Sequence, residues 1–173
     1  MKYLWSFCIV LLTMTSCSRK NEQQLVQEAR DAEQQKNFPI AVERYAELVD
    51  RFTTTSLAET CQYRIAIIEN NELRNTRGAV SAYLKFHDLY PNSTNAPTSL
   101  FLAGFLMNNE IHNIDSAKMF YERFVRQYPT HELAASAKYE LESLGKDPGD
   151  LLRKNVTTDT SPADQKSEKA RQQ

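Results

Sequence analysis

Apolar side chains recur through the middle of the chain at helical spacing, and the pattern itself repeats. Ala41, Tyr45, Leu48 and Phe52 stand at offsets 0, 4, 7 and 11, one stripe of an α-helix. The stripe returns 38 residues later as Ala79, Tyr83, Phe86 and Tyr90, and again as Ala117, Tyr121, Phe124 and Tyr128. Asn37, Asn75 and Asn113 each precede the alanine by four residues, where a side-chain oxygen can cap the first turn. Thr53, Pro91 and Pro129 follow the last aromatic, and proline cannot continue a helix. A second set of columns precedes these: Ala58, Ala96, Ala134; Tyr63, Phe101, Tyr139; Ile65, Ala103, Leu141; Ile68, Leu106, Leu144. Each unit therefore predicts a helix A and a helix B, over about 56–73 and 76–89, then 95–111 and 114–127. A last helix A is expected over about 132–144 with no helix B after it. Ser56–Glu59 reads as a capping box, and Pro97 falls in a first turn, where its missing N–H is tolerated. Only 4 Gly and 6 Pro in 173 residues are too few turn-formers for an all-β fold.

The columns resemble the tetratricopeptide repeat. That family places a small residue in helix A, matched here by Ala66 and Gly104. An alanine, an aromatic, a further apolar residue and a proline follow, matched by Ala79-Tyr83-Phe86-Pro91 and Ala117-Tyr121-Phe124-Pro129. Ala29, Ala41, Tyr45 and Leu48 give a first repeat with Thr53 in place of the proline. The family period is about 34 residues; the longer one here implies longer helices or turns. The resemblance implies an all-α, right-handed α-solenoid of about three and a half helix-turn-helix repeats over residues 22–145. Within the family, the Tyr-Pro closures at Tyr90-Pro91 and Tyr128-Pro129 are similar to two kinds of envelope protein. These are BamD-type outer-membrane assembly lipoproteins and the repeat domain of the Tol-associated periplasmic coordinator.

The ends read differently. Lys2 followed by an apolar run over 4–14 is a signal peptide in pattern, too short for a membrane span of roughly 20 residues. Met14-Thr15-Ser16-Cys17 resembles a bacterial lipobox, which implies removal of 1–16 and lipidation of Cys17. Residues 17–21 then form a short tether, with Arg19 and Lys20 near lipid phosphates or solvent. Residues 146–173 hold six basic and five acidic side chains and few apolar ones, so a disordered polar tail is expected. The expected location is the bacterial cell envelope, at the periplasmic face of the outer membrane.

Chemistry is scarce. A formal net charge of −1 offers no basic footprint for nucleic acid. Of three cysteines, Cys8 lies in the signal and Cys17 carries lipid, leaving Cys61 alone as a small buried apolar side chain. His87, His112 and His131 are dispersed and read as surface or helix-end residues rather than metal ligands. No metal, cofactor or small-molecule site is expected, and no enzyme. In tetratricopeptide repeats the A helices line a concave groove. With Ala66 and Gly104 at the small site, Thr60, Tyr63, Ile67, Asn70 and Asn71 turn toward it, as do Thr98, Phe101, Phe105, Asn108 and Asn109. Rings supply area and amides supply donors and acceptors for a peptide; the competing expectation is that the rings pack between helices. The expected function is a non-catalytic adaptor binding a peptide or protein in that groove, or else a permanent structural subunit of a barrel-assembly or envelope-maintenance complex.

Overall fold

The computed structural model describes residues 20–146. They form seven helices: α1 (Glu22–Gln34), α2 (Phe38–Arg51), α3 (Ser56–Asn71), α4 (Thr76–Leu89), α5 (Ala96–Asn109), α6 (Ile114–Gln127) and α7 (Ala134–Ser143). Each packs on the next in chain order, giving the all-α repeat stack that the columns imply. The signal at 1–16, Cys17, Arg19 and the tail from 147 lie outside the described residues.

The B helices keep the period without slip. They open at Phe38, Thr76 and Ile114 and close at Arg51, Leu89 and Gln127. The ends coincide with or without a following proline. What they share is the aromatic C-cap: Phe52, Tyr90 and Tyr128 each return their N–H to the carbonyl four residues back, on Leu48, Phe86 and Phe124. Asn75 and Asn113 cap α4 and α6 by accepting the N–H of Gly78 (3.1 Å) and Ser116 (2.9 Å). Asn37 makes no such bond. The expected capping box at Ser56 does not form: Thr55, in extended backbone, is the cap and accepts from Ala58 N–H at 3.1 Å. The capping box lies at Asn21–Gln24 instead.

The A helices run shorter than the expected spans because each closes on a left-handed residue. Lys36, Arg74 and His112 have φ of 57°, 52° and 57°, and all three are basic, at the negative end of a helix dipole. Asn75 and Asn113 donate to carbonyls six residues back, but Asn37 donates to Ala32, five back. The first repeat is therefore one residue short in its A–B turn, and Ala29 takes the place of Ala66 and Gly104.

Small residues set the spacing between helices. Ala41, Ala79 and Ala117 are fully buried, as are Ala29 and Ala66. A Cβ on Gly104 would stand 3.0 Å from the Tyr121 ring. Cys61 is buried as expected, and burial pushes its thiol up to about 11.

Candidate protein-binding surface

Two clefts open between successive A helices. The first, about 360 Å³, lies between α1 and α3, with Val26, Leu57 and Cys61 as floor and Arg30, Gln34 and Thr60 at the rim. Glu33 and Arg64 bridge it: the Arg64 Nε lies 3.1 and 3.0 Å from the two carboxylate oxygens. Tyr45 donates its hydroxyl to Glu33 at 2.6 Å. Burial pushes the Glu33 carboxyl up, but the bonds from Arg64 and Tyr45 outweigh it and hold the group below the usual carboxylate range. The same burial and carboxylate push the Tyr45 hydroxyl far up. The second cleft, about 430 Å³, lies between the ends of α3 and α5 and is lined by Asn70, Asn71, Arg74, Phe105 and Glu110.

The ten residues expected in one groove separate into different settings. Asn70, Asn71 and Phe105 line the second cleft. The Asn70 amide donates to Asn71 Oδ1 at 2.8 Å, and the Phe105 ring is 39% exposed, so it is available to a partner. Thr60 lines the first cleft, its hydroxyl bonded back to Ser56 O. Asn109 bonds back to Phe105 O, and the Asn108 carbonyl accepts from His112 Nδ1. Ile67 and Thr98 are half-buried. Tyr63 and Phe101 turn to the helix B of their own repeat. The Tyr63 ring stands edge-on to Tyr83 and Phe86, at 6.0 and 5.1 Å between centroids. Phe101 lies against Tyr121 and Phe124 at 5.6 and 5.9 Å.

His87 corrects an expectation. It is 3% exposed rather than a surface residue. Its Nδ1 lies 3.0 Å from Asp88 and 3.1 Å from Arg123 Nη2, its Nε2 lies 3.0 Å from the Tyr128 hydroxyl, and Arg123 donates to Asp88 at 2.8 Å. The cluster ties α4 to α6. Three of its members keep the period: Asp88 repeats Asp50, Arg123 repeats Lys85, and Lys85–Asp50 at 2.9 Å is the same ion pair one repeat earlier, while Tyr128 belongs to the Phe52 and Tyr90 column. His87 alone departs from it, with Val49 and Val125 at the equivalent positions. The Glu33–Arg64 bridge does stand outside the period: Leu102 is the counterpart of Arg64, and an asparagine, Asn70 or Asn71, that of Glu33. Among the described residues no group of His, Cys, Asp and Glu is placed to hold a metal, and no helix is long and apolar enough to cross a membrane.

The family model of the tetratricopeptide repeat matches residues 60–93 and 98–131. Those spans cover most of α3 and all of α4, then nearly all of α5 and α6, so the two central helix pairs are similar to tetratricopeptide repeats, and α1–α2 and α7 extend the same stack. Such repeats typically serve as scaffolds for protein–protein interaction. No curated protein matches the chain.

Proposed function

We propose that this protein is a non-catalytic adaptor that takes a peptide or protein segment on the face between its A helices, while lipid on Cys17 holds it to a bacterial envelope membrane. The observation that carries the binding surface is the second cleft: an exposed Phe105 ring beside the Asn70 and Asn71 amides, with Arg74 and Glu110 at its end. A ring gives an apolar side chain its platform, and primary amides offer both donor and acceptor to a peptide backbone. The exposed large apolar residues among those described, Ile40, Leu89, Phe105, Ile114, Met119 and Tyr139, come from five different helices. A permanent subunit would present a broader contiguous patch, so the reversible adaptor is favoured.

Two measurements test this reading. In-cell crosslinking at Asn71, compared with and without Phe105→Ala, should lose its specific partner band in the variant while circular dichroism is unchanged. An unaltered band would place binding elsewhere. Labelled fatty acid should enter the wild-type chain and not Cys17→Ser; equal labelling of both would reject the anchor.

A further inference from the structure

The two edges of the stack differ in charge. At one edge lie the B-to-A loops, 52–55, 90–95 and 128–133, which hold no Lys, Arg or Asp and a single Glu, Glu132. They read Phe-Thr-Thr-Thr, Tyr-Pro-Asn-Ser-Thr-Asn and Tyr-Pro-Thr-His-Glu-Leu. The first two adjoin across an open cleft of about 660 Å³ lined mainly by hydroxyl and amide side chains, with Glu59 its one carboxylate. At the opposite edge the A-to-B turns carry Lys36, Glu72, Arg74, Glu110 and His112.

The chain enters at the edge that bears the B-to-A loops and is clasped there. Lys20 Nζ donates to Glu28 at 2.6 Å, and Glu28 also faces Arg44 Nε at 3.5 Å. Arg44 and Arg51 both donate to Glu47, at 3.0 and 2.9 Å. Arg51 closes the ring on the Lys20 carbonyl, and Thr55 bonds Glu22 beside it. Lys20 is thereby committed to protein rather than left on a free tether. Cys17 is three residues upstream, a reach of about 10 Å at most.

We propose that the edge bearing the three B-to-A loops rests on the phospholipid headgroups, held in that orientation by the Lys20–Glu28–Arg44–Glu47–Arg51 clasp. This rests on the reading that Cys17 is acylated. Hydroxyls and amides replace headgroup water bonds without the repulsion that carboxylates meet at an anionic leaflet. The charged A-to-B edge, with Arg74 and Glu110 closing the Phe105 cleft, then points away from the membrane, where a partner can reach it.

The test uses the full-length acylated protein in phosphatidylcholine–phosphatidylglycerol vesicles with brominated acyl chains. Trp5 is the single tryptophan and lies in the segment expected to be removed, so an introduced tryptophan reports its own position. Thr54→Trp, Thr94→Trp and Thr130→Trp probe one edge, and Glu72→Trp and Glu110→Trp the other; all five positions are exposed. Brominated lipid should quench the first three and leave the last two bright, with melting curves confirming each fold. Equal or reversed quenching on protein whose mass shows acylated Cys17 overturns the orientation alone. Absence of the acyl mass overturns the anchor, and the orientation with it. Glu28→Ala with Glu47→Ala should narrow the difference between edges at unchanged acylation; an undiminished difference overturns the clasp as the orienting device.

Discussion

Arg74 shows what one position in this repeat tolerates. It holds φ of 52°, where a Cβ is crowded against the backbone and glycine is at ease. Lys36 and His112 hold the same conformation one period away. Arg74 is exposed and has no ion-pair partner among the described residues, so little offsets the strain. Arg74→Gly should raise stability by several tenths to about 1 kcal/mol, less than the 1–2 kcal/mol of the left-handed penalty because glycine is freer when unfolded. Urea melts of the variant check this, and a drop in midpoint would mean the guanidinium has a structural partner.

Between elements, the rings of helix A serve two purposes according to where they stand. Tyr63 and Phe101 join each A helix to its own B helix through Tyr83, Phe86, Tyr121 and Phe124. Tyr63→Ala with Phe101→Ala should cost about 3 kcal/mol for each ring, the low end for a lost core aromatic because both are half-buried. Phe105→Ala should leave the melting temperature nearly unchanged, since its ring is exposed. A melting curve of the double variant that matches wild type would return those rings to the groove. The Glu33 bridge between α1 and α3 adds a pH dependence. Its folded carboxyl titrates below the ordinary 4.5, so its stabilisation is complete above that value and is lost as pH falls through the lower, folded one. Glu33→Gln should flatten the fall in melting temperature from about pH 5 downward, and an identical acid slope in the variant would show that the bridge contributes nothing.

At the scale of the molecule, stability follows from neighbours stacking on neighbours. The register that carries Gln62 and Leu100, both buried, and then Ala66 and Gly104 continues in α7 as Lys138 and Glu142, both exposed. Among the described residues the stack thus ends on a charged helix face. A chain ending at Lys146 should melt within about 0.5 kcal/mol of the full chain, as surface changes do. Differential scanning calorimetry of the two chains decides it; a large loss would mean that residues beyond 146 cover α7.

The 38-residue period, the helix pairing, the B-helix boundaries and the burial of Cys61 were legible in the chain because each depends on local spacing and recurs. A column of identical roles needs no coordinates to be seen. The direction of the A-helix rings was not legible. Tyr63 and Phe105 are both apolar residues on an A helix, and a few tens of degrees of helix rotation decides which meets helix B and which meets solvent. Gly104 bears on that rotation by letting the Tyr121 ring approach where a Cβ would stand 3.0 Å from it, a contact between helices. Glu33–Arg64 and the buried His87 with Tyr128 likewise join groups far apart in the chain, and Glu33, Arg64 and His87 do not recur at the period. Only the packed structure brings such singular pairs together, because nothing in local periodicity encodes a contact made once.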